Sequence, residues 1–192
     1  MQEKITAGRR KVLVRKKWEI MLVGYGGQGL GLTGEVLAEA AIIDKDLNVA
    51  HNQSFGAQAR GGESYASVII SEEEIIYPII EEADILIALS PQGYLSYEPL
   101  VKAVEGIVVF ESSLPVTPRK RVKECGFSFK KATEELKFSR GISLMALGAV
   151  IEKLKLVSSE AIYNALEKHF SGDLLEINFK SFKWGQSLAK LE

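Results

Sequence analysis

Glycine carries the first chemical signal in this chain. Six glycines stand between Gly24 and Gly34, directly after the apolar run W-E-I-M-L-V (18–23) and before the alanine-rich L-T-G-E-V-L-A-E-A-A-I-I (32–43). Glycine lacks a Cβ and reaches positive φ freely, so such density suits a backbone that turns sharply and lies close to a neighbour. Strand, glycine turn and helix start, in that order, offer free N–H groups at the positive end of a helix dipole, where phosphates and carboxylates bind. Gly24, Gly26 and Gly29 also satisfy G-x-G-x-x-G in the required context. A dinucleotide site would then want an acidic residue about twenty positions on, at the end of the second strand. The second strand is expected over 47–51 and runs out in His51, Asn52 and Gln53, while Asp44 and Asp46 precede it at the wrong end. The turn is therefore built for an anion, and NAD is disfavoured. A turn that merely packs strand on helix is the alternative.

A second unusual stretch, H-N-Q-S-F-G-A-Q-A-R-G-G-E-S (51–64), is polar and small and leaves the carboxyl end of a strand, where ligands of open α/β sheets collect. Arg60, followed by Gly61 and Gly62, can fork its guanidinium onto phosphate or carboxylate; the alternative is a solvated arginine on a surface loop. Little else is equipped for chemistry. His51 and His169 are the two histidines and Cys125 the one cysteine, so an internal disulfide is excluded, as is a cluster needing about four thiolates. No H-E-x-x-H, C-x-x-C or phosphate-loop lysine pattern is present. His51 alone could titrate near neutrality beside the loop. The residues read as a binding module whose reacting partners lie elsewhere.

The elements that must position these groups follow from length and pattern. With 192 residues, 46% apolar, 26% charged and a net charge of −1, the chain reads as one globular domain with no general pull toward nucleic acid or membranes. No apolar run approaches the roughly 18 residues of a membrane span, and the lone cysteine suits the reducing cytoplasm. Residues 1–17 form a basic N-terminal arm, read as a solvated tail or subunit contact, and 18–192 the domain. The expected fold is α/β, a Rossmann-like, mainly parallel sheet flanked by helices, with a β-hairpin addition and a helical C-terminus. Strands are expected at 18–23, 47–51, 83–89, 106–110 and 126–130, the first two parallel and joined through a helix at 31–43 by a right-handed crossover. Segments 65–70 and 74–76 are expected to pair as the hairpin. A helix is expected over 94–105, interrupted at Pro99, with P-R-K-R (118–121) as an exposed loop tip and Cys125 at a turn or strand edge. Helices follow from 141, after Ser158 as a cap, and over 174–191.

Taken in order, G-G-Q-G (26–29), S-F-G-A-Q-A-R-G-G (54–62), V-I-I-S, A-D-I-L-I-A-L, A-L-G (146–148) and E-I-N-F-K-S-F-K-W-G (176–185) resemble the gamma subunit of the 2-oxoacid:ferredoxin oxidoreductases, the pyruvate, 2-oxoglutarate and 2-oxoisovalerate enzymes. Two departures stand out: Ala57-Gln58 where the family often has Pro-Glu, and R-G-I-S (140–143) where it tends to carry an asparagine. The resemblance implies a subunit, inactive alone, of an enzyme that oxidatively decarboxylates a 2-oxoacid to acyl-coenzyme A and passes the electrons to ferredoxin. Alpha, beta and delta-type partner subunits would carry thiamine diphosphate, magnesium and [4Fe-4S] clusters, and the isolated chain could form a homodimer. Gly24, Gly26, Gly27, Gln28 and Gly29, with Arg60, Gly61 and Gly62, would face coenzyme A phosphates or the subunit junction, with no metal held by this chain. The rivals are the small subunit of indolepyruvate:ferredoxin oxidoreductase, a nucleotide-dependent dehydrogenase acting alone, and a purely structural assembly subunit.

Overall fold

A computed structural model describes residues 16–55 and 62–191. The strands are β1 (Lys17–Tyr25), β2 (Asn48–Phe55), β3 (Glu63–Ser71), β4 (Ile85–Ala88), β5 (Ile107–Glu111) and β6 (Lys123–Phe127), and the helices α1 (Leu30–Lys45), α2 (Pro91–Tyr97), α3 (Phe129–Leu136), α4 (Ile142–Leu154), α5 (Ser159–His169) and α6 (Gly172–Lys190). They build a six-stranded sheet in the order β2-β3-β1-β4-β5-β6. β1, β4, β5 and β6 run parallel, and β3 is antiparallel to both β1 and β2.

The central strands are buried on both faces, which is why they read as unbroken apolar runs. Ile20 and Leu22 of β1, with Ile85 and Ile87 of β4, face the large core beneath α1, α4, α5 and α6. Met21, Val23, Leu86 and Ala88 face the smaller core that includes Tyr94 of α2. The expected α/β sheet is present, with two corrections. β2 keeps the direction of β1, but it does not lie beside it: β3 is inserted between them, pairing Leu22 with Ala66 on one side and Gln53 with Ala66 on the other. The hairpin therefore joins β3 to β2 and not to 74–76, which carries no strand. Its strand-type sequence suited either partner, and burial on both faces decided for the sheet interior.

Smaller differences have local causes. The helix expected over 94–105 ends at Tyr97, because Pro99 allows only a tight turn there, and Val101 returns to pair beside Ala83. Arg119 is not part of a free basic tip, since its guanidinium bonds the Glu98 carboxylate; Lys120 and Arg121 are exposed. β6 spans 123–127 instead of 126–130, with buried Cys125 in this edge strand. Helix α3, not foreseen, starts where the buried Glu111 carboxylate accepts from the Lys130 amide at 2.8 Å. Ser158 does cap α5, its Oγ accepting from the Ala161 amide at 3.1 Å.

At the end of the strands opposite the glycine turn, the buried Asp84 carboxylate accepts from the Glu19 amide (2.9 Å) and from Lys102 Nζ (2.7 Å). Burial pulls the Lys102 ammonium down, but Asp84 and Glu19 outweigh it and its pKa ends above the usual value. Asp84 thus ties β4 to β1 and takes no part in the glycine-turn region. Helices α4 and α6 cross at two glycines. A Cβ on Gly148 would collide with the Phe182 carbonyl, and one on Gly185 with the Met145 carbonyl. The A-L-G and K-W-G segments therefore serve backbone-to-backbone packing.

Candidate functional site

The glycine turn leaves β1 at Tyr25 and enters α1 through Gly29, which holds φ 79°, while Gly27 holds φ 93°. Both values lie in the left-handed region that side chains resist. Gln28 folds back on the turn, its Oε1 accepting from the Tyr25 amide at 2.7 Å and filling the space a Gly24 Cβ would need. The Gln28 carbonyl accepts from Ser143 Oγ at 2.7 Å, and Ser143 Oγ lies 2.8 Å from Thr33 Oγ1. The start of α4 thus clamps the turn from behind. In front, the Gly26 amide donates to the Gly62 carbonyl at 2.9 Å, joining the turn to the arginine loop.

Helix α1 starts without a side-chain cap. Its first turn forms one wall of a cavity of about 490 Å³, with Gly27, Gly29 and Gly31 on that side. Gln53 at the end of β2 lines it as well, and occupies the place of a Gly31 Cβ. The rest of the lining includes Phe138 and Arg140, before α4, and Phe170, Leu174 and Asn178 around the start of α6. Arg140 is exposed, and its backbone carbonyl lies 3.1 Å from where a Gly29 Cβ would stand. Uncapped amides of a helix start, one guanidinium and apolar side walls suit a molecule with an anionic group and a long uncharged body.

Of the residues singled out from the sequence, Gly27 and Gly29 line the cavity. Gly26 and Gly62 fasten its rim, Gly24 lies within β1 opposite Ser64, and Gln28 braces the turn. Arg60 and Gly61 fall outside the described residues, as does most of the basic arm. His51 is not beside the loop: it lies within β2, opposite Val68, because β2 continues to Phe55. Its ring packs on α1 where Gly34 leaves room, with Nε2 2.7 Å from the position of the missing Cβ. Burial pushes the imidazole below its usual pKa, against an opposing pull from Glu35. Arg140 and Gln53 were missed. The one sequence signal for Arg140 was the departure R-G-I-S; for Gln53 there was none, since it looked like loop.

Comparison with known proteins agrees with this architecture. The model of the family described as pyruvate ferredoxin/flavodoxin oxidoreductase matches residues 19–188. The chain belongs to this family. The 2-oxoglutarate synthase subunit KorC of Methanocaldococcus jannaschii is 34% identical over 186 residues, covering 95% of this chain and 98% of that protein. The keto/oxoacid ferredoxin oxidoreductase gamma subunit of Geobacter sulfurreducens superposes with a TM-score of 0.79 at 30% identity, covering 91% of this chain and 97% of that one. Within the pyruvate ferredoxin/flavodoxin oxidoreductase family the chain is a gamma-type subunit of a 2-oxoacid:ferredoxin oxidoreductase. An indolepyruvate oxidoreductase subunit, IorB of Methanothermobacter thermautotrophicus, is 22% identical over 188 residues. Likeness of fold extends to the 2-oxoglutarate:ferredoxin oxidoreductase of Magnetococcus marinus, solved with 2-oxoglutarate, coenzyme A and succinyl-CoA bound, with a TM-score of 0.81 at 23% identity. That match covers 93% of this chain and 32% of that one. Among the described residues no helix is long and apolar enough to cross a membrane.

Proposed function

We propose that the cavity beside the glycine turn receives coenzyme A, and that this chain orients it for an acyl group generated on partner subunits. The observation that carries this reading is the uncapped start of α1, opening through Gly27, Gly29 and Gly31 onto a 490 Å³ cavity that Arg140 also lines. A phosphate of the coenzyme would sit at the helix start, held by backbone N–H groups and the helix dipole. Arg140, together with Arg60 of the second loop, would supply cationic clamps. Phe138, Phe170 and Leu174 would cover the uncharged arm and keep water from it. The thiol end is thereby presented toward neighbouring chains. Gln28 and Ser143 act behind the site by holding the turn open.

The remaining chemistry belongs to alpha, beta and delta-type subunits, which would bind thiamine diphosphate, magnesium and [4Fe-4S] clusters and hand electrons to ferredoxin. Thiamine diphosphate supplies the decarboxylating chemistry when bound there; the described residues of this chain offer no cysteine cluster for the iron. Given the relatives it matches, 2-oxoglutarate is the proposed oxoacid, with succinyl-CoA as product, in the cytoplasm. The isolated chain is expected to be inactive.

A second reading has its own observation. Gln28 and Ser143 satisfy much of the turn from inside the chain, as a purely structural assembly subunit would require. Kinetics of the reconstituted complex decide between them. Loss of a charge-assisted hydrogen bond worth about 1.5–3 kcal/mol corresponds to roughly a 10- to 100-fold change in binding. Arg140→Ala and Arg60→Ala should each raise the Michaelis constant for coenzyme A by about that factor, leaving that for the oxoacid unchanged. Unaltered coenzyme A constants in both variants leave only the structural role.

A further inference from the structure

Where α5 packs against α1 lies a group of side chains that the coenzyme site does not use. Glu35 and Glu39 stand four residues apart on α1 and so share one helix face. His169 is the last residue of α5, the helix packed against α1. One donor atom from each of Glu35, Glu39 and His169 lies within 4.8 Å of the other two.

A second, independent feature is what these atoms lack. Glu39 Oε2 and His169 Nε2 are both shut off from solvent, yet neither has a hydrogen-bond partner among the described residues. They lie 3.4 Å apart, at ion-pair distance but without the alignment of a hydrogen bond. The side chains are 29% and 19% exposed, but a shielded acceptor and a shielded ring nitrogen without hydrogen bonds still carry a desolvation cost. A third body between them would remove that cost. Two ligands bound to tetrahedral zinc at about 2.0–2.1 Å stand roughly 3.3 Å apart, close to the separation seen.

We infer that Glu35, Glu39 and His169 form a zinc-type divalent metal site that staples α5 to α1. An imidazole donor favours zinc or a neighbouring transition metal over magnesium or calcium, which prefer all-oxygen shells. Two carboxylates and a neutral imidazole balance the double charge of the ion. Glu35 is exposed and can swing inward, which leaves an entry path and a fourth position for water. Lys168 Nζ lies 3.7 Å from Glu39 Oε2, on a side chain that is 57% exposed and free to withdraw. The site lies on the core-covering helices and is independent of the coenzyme reading.

Titration of the untagged full chain with Zn²⁺ alone, by calorimetry and by competition with a chromogenic chelator, tests this. One ion per chain is expected, and an ion excess of about a hundred times the dissociation constant should raise Tm by about 5–10 °C. Co²⁺ should give the intense visible absorption of a four-coordinate site. Glu39→Gln and His169→Gln, both close in volume to the native residues, should each weaken binding at least ~100-fold while circular dichroism stays native. Should either variant misfold, Glu35→Gln at the exposed position carries the same expectation. No uptake of Zn²⁺, a pale six-coordinate cobalt spectrum, or uptake that survives the substitutions overturns the site.

Discussion

The crossing of α4 and α6 makes the most direct test of how this chain is held together. At Gly185 an added Cβ would collide with the Met145 carbonyl and come within 2.9 Å of Met145 Cα. Carbon atoms settle about 3.5–4.0 Å apart, so Gly185→Ala forces the two helices to part by on the order of 1 Å. Overpacking of this kind costs about 1–3 kcal/mol, and the upper end applies because the obstructing atoms are backbone and cannot rotate away. Alanine returns about 1 kcal/mol through helix propensity. The net loss is therefore about 2 kcal/mol, which for a chain of this size lowers Tm by about 4–8 °C. Thermal scans of the wild type and Gly185→Ala by circular dichroism measure it. Ser187→Ala, on the exposed side of the same helix, changes propensity and one local bond from Ser187 Oγ to the Lys183 carbonyl, without overpacking, and should move Tm by less than about 2 °C. A Gly185→Ala protein as stable as wild type, or more so, would refute the claim that these glycines exist for close helix approach.

Other expectations follow from single contacts. Ser143→Ala removes the hydroxyl that donates to the Gln28 carbonyl; it should cost about 1 kcal/mol in denaturant titration and raise the coenzyme A Michaelis constant by loosening the turn. Asp84→Asn breaks the charged contact with Lys102 and should lower stability by about 2–3 kcal/mol, with no effect on coenzyme A kinetics because it sits at the opposite end of the strands. His51 has a folded pKa below 6.5, so the unfolded chain takes up its proton first on acidification. Stability should therefore hold above pH 6.5 and fall as pH drops below it, and His51→Gln should flatten that stretch of a pH series of thermal scans.

The first strand, turn and helix were legible because their signal is local: glycines at 24, 26, 27 and 29 between an apolar run and an amphipathic helix admit few other structures. The position of β3 was not legible. Its apolar stretch Val68–Ile70 fits a hairpin with 74–76 as well as a place between β1 and β2, and only the collective burial of the sheet interior separates the two. The same holds for the cavity. Gly27 and Gly29 announced it from within one segment, whereas Gln53, Arg140 and Leu174 arrive from three distant ones and carry no mark of their destination. Helix α3 escaped notice because it is short and charged, and its start is fixed by Glu111, a residue far from it in sequence.

The placing of β1 between β3 and β4 also bears on biogenesis. Among the described strands this one is synthesised first and has both its hydrogen-bonding rims filled by later segments, so it waits as an apolar ribbon until the chain through Ala88 has emerged. Closing such distant pairings is slow. During that interval the nascent polypeptide exposes the apolar run Ile20–Val23, which makes it a place for chaperone capture or early mispairing.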